Sequence, residues 1–156
     1  RNMFCDNYLE SIKYRLYATE ALKEKNDAQQ TLYEILFDSL RFIAPFAPHM
    51  TEEIYQRMFR NKVGIKSIHL ESWPEYEPRM EDEEARRLGD EAVSLFSLIR
   101  GWKVSHGIGL GKEIDELSLT YTSDSDFRRI KEIVEKTMRI NNINVAESPT
   151  VGIITP

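Results

Sequence analysis

Two prolines three residues apart, Pro45 and Pro48, constrain the folding of this chain more than any other feature. They stand in an apolar run, Phe42-Ile43-Ala44-Pro45-Phe46-Ala47-Pro48-His49-Met50, between two stretches of helical periodicity. A proline drives the preceding residue out of the α region, so one helix cannot pass through both. Upstream, Leu32, Ile35, Leu36, Leu40 and Ile43 recur at three- and four-residue steps, and Asn26 and Asp27 are placed to cap that helix. Downstream, Thr51 supplies a hydroxyl cap, Glu52 and Glu53 suit the positive end of a helix dipole, and Ile54, Tyr55, Met58 and Phe59 form an inner face. The pattern predicts two helices folded back on each other about a stiff, buried corner.

The flanking sequence extends this to a bundle and then changes texture. Phe4, Tyr8, Leu9, Ile12 and Leu16 predict a first amphipathic helix reaching about Ala21. Ser67-Ile68-His69-Leu70-Glu71 alternates polar and apolar before Trp73-Pro74, which predicts a short extended segment laid across the bundle. A long helix is expected from about Glu81 to His106, with Ala85, Leu88, Ala92, Leu95, Phe96, Ile99 and Trp102 on one side. Beyond it, Leu117, Leu119 and Tyr121 alternate as a strand, residues 124–139 form a helix, and 143–145 and 151–154 are short strands. The fold class is therefore mainly α with a C-terminal α/β part. Residues 1–80 form a helical bundle; 81–156 form a long helix and a small α/β subdomain.

Composition narrows the function classes. With 156 residues, 41% hydrophobic and 30% charged, the chain has enough apolar material for one domain or two small ones. It contains no apolar run of about eighteen residues, so no membrane helix is expected, and residues 1–10 lack the layout of a signal peptide. Cys5, the only cysteine, cannot form an internal disulfide, which points to a reducing cytoplasm. Helical periodicity is already under way at Met3, which suggests a piece of a longer polypeptide. The net charge of −5 argues mildly against nucleic acid, but nine acidic residues fall within 71–91, while cations gather at Lys13 and Arg15, at Arg57, Arg60 and Lys62, and at Arg128, Arg129 and Lys131. Over a Debye length of about 8 Å, local grouping outweighs the total.

No catalytic constellation emerges, and no metal site is assigned. Gly107-Ile108-Gly109-Leu110-Gly111-Lys112 resembles a phosphate loop, yet it follows a helix rather than a strand, and no Ser or Thr follows Lys112. His49, His69 and His106 lack partners at metal-binding helical spacing; the approach of Glu52 and Glu53 to His49 is explained by the helix start. Beside Cys5, Asp6 would disfavour a thiolate. Adjacent carboxylates such as Glu52 and Glu53 point to different sides of a helix.

Two motifs do carry a specific message. The first is Phe4-Cys5-Asp6-Asn7-Tyr8-Leu9-Glu10, continued by Lys13-Tyr14-Arg15-Leu16-Tyr17. The second is the proline corner with Thr51-Glu52-Glu53-Ile54-Tyr55, closed by Ser67-Ile68-His69-Leu70-Glu71-Ser72-Trp73-Pro74. In this order they resemble the anticodon-binding helical bundle of the class I aminoacyl-tRNA synthetases for aliphatic amino acids. The first motif looks most like the valyl-tRNA synthetases, in an archaeal or eukaryotic rather than bacterial form. The resemblance is dense up to Pro74 and thinner through Ile99-Arg100-Gly101-Trp102-Lys103.

That resemblance implies a partial bundle followed by a small α/β subdomain, with valine tRNA and the catalytic domain of the same polypeptide as partners. It implies no cofactor in this chain; ATP and magnesium would belong to the catalytic domain, whose motifs are absent here, as is the editing domain. The family's bundle begins upstream of Phe4, so the RNA contacts carried over are partial. Unstacked anticodon bases are held by apolar or aromatic contacts and their phosphates by cations, which nominates Asn2, Leu9, Lys13 and Arg15. Phe42, Pro45, Phe46, Pro48 and Trp73 are assigned to the packed corner instead. The alternatives are the equivalent region of an isoleucyl-tRNA synthetase, or a helical protein-docking domain without RNA contact.

Overall fold

The computed structural model describes residues 4–19, 22–78 and 81–154. They form two compact units, one combining 4–18 with 82–154 and the other spanning 19–81. The chain passes between the units near residues 18 and 81, so the N-terminal helix groups with the C-terminal segment. The reason is packing: its buried Ser11 and Ile12 lie on a helix that meets the helix 124–138 of the C-terminal unit.

In the first unit, a π-helical segment, Phe4–Leu9, runs directly into α1, Glu10–Tyr17. The helix ends at Tyr17, short of the expected Ala21, because Ala18 turns to extended backbone at ψ 137°. Helix α5, Glu83–Ser105, starts where the Asp82 carboxylate accepts the Ala85 amide, and α6, Asp124–Met138, starts at a matching Ser123 cap. Strand β1, Ile114–Tyr121, pairs in parallel with β2, Ile140–Glu147, across the α6 crossover; β3, Gly152–Ile154, pairs antiparallel on its other side, giving the order β2-β1-β3. The core gathers Leu95, Phe96 and Ile99 of α5, Leu117 and Leu119 of β1, Phe127 and Val134 of α6, and Ile143 of β2.

The second unit holds α2, Leu22–Ile43, α3, Pro48–Met58, and the short α4, Arg60–Val63. Asn26 and Asp27, expected as caps, lie inside α2, because the preceding Leu22-Lys23-Glu24-Lys25 is good helix-forming sequence. α3 starts at Pro48 rather than Thr51: proline is tolerated in a first turn, whose amides have no intrahelical acceptor. Thr51 is buried there, and its hydroxyl donates to the Ala47 and Pro48 carbonyls. Tyr55 and Phe59 are fully buried against Leu40, Ala44 and Ile68, with Phe37 stacked on Phe59 at 5.1 Å. Ser67–Glu71 is not extended throughout; Ile68–Leu70 makes a 3₁₀ turn, capped when the Ser67 hydroxyl accepts the His69 amide.

The proline corner differs most from expectation. It is not buried: Phe46 is 87% exposed, Trp73 58% and Phe42 46%. Phe46 projects outward and Phe42 meets Trp73 edge-on at 5.1 Å, while Ala44 turns in.

Candidate nucleic-acid interface

The nominated residues sit on the N-terminal helical segment. The π-helical turn stacks Phe4 on Tyr8 at 5.6 Å and is anchored to α5 by Arg100, which donates to Asn7 Oδ1 at 2.9 Å and to the Asp6 carbonyl at 3.0 Å. Ser11 donates to the Tyr8 carbonyl, and Ile12 is buried, so this helix presents one face to the core. Leu9 is half-buried and Lys13 exposed; four residues apart on a continuous helix, they share a face. Lys13 Nζ lies 2.5 Å from Glu10 Oε1. Arg15 lies two residues further round, half-buried, with Nε donating to the Tyr14 hydroxyl at 2.9 Å and its guanidinium 5.4 Å over that ring. The structure thus brings Leu9 and Lys13 together and sets Arg15 apart. Asn2 lies outside the described residues.

A second group of cations occupies the other unit. Arg60, Lys62 and Lys66 are exposed around the left-handed Gly64 turn, at φ 85°. Arg60 donates to Gln56, Lys62 stands 4.5 Å over the Tyr33 ring, and none of the three forms an ion pair among the described residues. The nearby carboxylates have other partners: Glu53 holds Arg57, and Glu71 accepts from Tyr55. Partial burial alone would raise the Glu52 carboxyl. Hydrogen bonds from Gln56, Ser67 and the Ile68 amide, together with nearby His69, outweigh it and hold the group below its usual value of 4.5.

Lys103 and Arg100, both on α5, bond to groups far away in the sequence. Lys103 is 1% exposed and donates to the carbonyls of Lys112 at 2.8 Å, Met138 at 2.7 Å and Leu110 at 3.5 Å. Burial and then the Arg139 charge push its ammonium below the ordinary lysine value. A signal existed: Lys103 falls four residues after Ile99, on the buried stripe of α5. It clamps the glycine-rich loop to the end of α6. That loop is a helix exit: the Ile108 amide donates to Lys103 O and Gly107 N to Val104 O, with Gly107 at φ 67°. Among the described residues, no three His, Cys, Asp or Glu side chains gather as a metal site, and no helix is long and apolar enough to cross a membrane.

Comparison with known proteins agrees with this geometry. Residues 1–120 match the family described as the anticodon-binding domain of tRNA ligase. The chain is 39% identical over 142 residues to a valine–tRNA ligase of Thermococcus kodakarensis and 41% over 145 to one of Pyrococcus horikoshii, covering 90% and 91% of the chain. A valine–tRNA ligase of Methanothermobacter thermautotrophicus is 40% identical over 152 residues, 95% of the chain. The chain spans only 16–17% of the length of these relatives. The match takes in the N-terminal motif, the proline corner and helix α5, and the chain belongs to the anticodon-binding domains of the tRNA ligases.

Proposed function

We propose that this chain is the tRNA-recognition part of a valine–tRNA ligase. It holds the anticodon region of valine tRNA while other domains of the same polypeptide, which would bind ATP and magnesium, charge the acceptor end in the cytoplasm. The observation that carries this reading is the similarity to valine–tRNA ligases over nine-tenths of the chain. On the N-terminal helix, Leu9 offers an apolar contact for an unstacked base and Lys13 a cation on the same face. The Lys13–Glu10 pair is half-exposed, so holding it together contributes only about 0–1 kcal/mol, and a phosphate can take the ammonium from it. Arg15, lying over Tyr14 on a different face of the helix, offers a planar surface to a base there.

The test is a titration of the polypeptide carrying this chain with valine tRNA and with the same tRNA bearing a changed anticodon, at two salt concentrations. Tighter binding of the native anticodon, weakening with salt, is expected. Binding that is blind to the anticodon at both salts would overturn the assignment of base recognition to this domain.

A further inference from the structure

The exposed corner continues into a groove of about 680 Å³ between α2 and the extended segment 71–77. Its aromatic wall is Tyr33, Phe37 and Trp73; Trp73 also packs edge-on against Phe42 at 5.1 Å, which joins groove and corner into one surface. Of the charged lining residues four are acidic, Glu34, Asp38, Glu75 and Glu77, and one is a cation, Arg41, which Asp38 and the Ser72 carbonyl engage and which lies 4.6 Å over the Phe37 ring; Thr31, Ile35 and Ser72 complete the lining. Two buried polar atoms of the lining residues, Tyr33 Oη and Arg41 Nε, have no hydrogen-bond partner. The exposed aromatic corner of Phe42, Phe46 and Trp73, beside this polar groove, has the character of an interaction surface.

Three occupants can be compared on charge. RNA phosphate would meet the carboxylates and be repelled. A second copy in a symmetric contact would set the same carboxylates against one another. A segment with Lys or Arg beside apolar residues satisfies both halves: Arg41 and Lys62 already stand over Phe37 and Tyr33, so its cations would pair with the carboxylates of Glu34 and Glu75 while its apolar neighbours cover Phe46 and Trp73. The matched relatives carry this region as about 16% of their length, so a polypeptide of that kind would present such a segment to the groove at high effective concentration.

We propose that the groove between α2 and residues 71–77, with the Phe42–Phe46–Trp73 corner, docks a basic, apolar segment from elsewhere in the same polypeptide. This rests on the reading that the chain is part of a longer ligase. The segment closes over the corner, which therefore faces protein and leaves RNA contact to other surfaces.

The experiment is zero-length carbodiimide cross-linking of the full-length polypeptide, mixed from isotopically light and heavy chains, with and without valine tRNA. Coupling of Glu34, Glu75 or Glu77 to a lysine outside residues 1–156 of the same chain is expected. Phe46→Ser and Glu75→Lys should each reduce it about tenfold, as removal of an interface anchor does. Phe46 is too exposed for its loss to unfold the unit, and retained circular dichroism would verify that. Links only between light and heavy chains would overturn the proposal in favour of a self-contact. Trp73 labelling by hydroxyl radicals that slows only when tRNA is added would overturn it in favour of base stacking, and no link with unprotected Trp73 would overturn it outright. Binding of tRNA is scored separately, so a polypeptide that cross-links but ignores tRNA removes the proposed function and leaves the docking surface standing.

Discussion

Lys103 ties the loop carbonyls of Leu110 and Lys112 and the Met138 carbonyl to one ammonium group that is 1% exposed, and the bond to Met138 is itself buried. Replacing it with Met removes a desolvated charge but leaves those carbonyls without a donor. The second effect wins, because an unsatisfied buried acceptor costs about 1–3 kcal/mol. Lys103→Met is expected to lower the stability of the C-terminal unit by about 2–3 kcal/mol, measured by urea denaturation with near-ultraviolet circular dichroism. Glu52 gives a pH-dependent counterpart. Its folded-state carboxyl is held below 4.5, so its stabilisation is fully present above that value and is lost as pH falls through the lower folded value. Glu52→Gln should cost about 1 kcal/mol at pH 7, and the difference from the parent chain should shrink in denaturation series carried progressively below pH 4.5. Equal losses at both ends of the series would show that the charge is irrelevant.

The elements owe their ends to specific groups. Gly107 closes α5 in the left-handed region with nothing within 4 Å of the place a methyl group would take, so substitution meets only backbone strain. Gly107→Ala should therefore cost about 1–2 kcal/mol in thermal unfolding, and no rearrangement of the core is expected. The α2–α3 corner permits a sharper contrast. Phe59 is fully buried in the aromatic stack with Tyr33 and Phe37, whereas Phe46, on the corner, is 87% exposed. Phe59→Ala should destabilise the unit by about 3–4 kcal/mol, while Phe46→Ser should fall within about 0.5 kcal/mol of the parent in the same denaturant titration. A large loss for Phe46→Ser would mean that the corner is packed after all.

At the scale of the whole chain, two units carry different cations toward solvent. If the N-terminal helix meets phosphate, Lys13→Gln in the polypeptide carrying this chain should weaken tRNA binding and lower the slope of log K against log salt by about 0.7–0.9. An unchanged slope would remove Lys13 from the interface. Much of the fold was legible without coordinates. Apolar spacing along α5, α6 and β1 reports a local period that each segment's backbone imposes on itself, so those elements fall where the pattern puts them. Leu9 and Lys13 share a face for the same reason. What lay outside that reach depends on which faces meet. Arg100 reaches Asn7 across 93 positions, and Lys103 reaches Met138 across 35. The N-terminal helix joins the C-terminal unit, and the Phe42–Phe46–Trp73 corner stays open, because burial is a property of a neighbour's surface. Periodicity along one helix determines which side is apolar; only the tertiary structure decides whether another element covers it.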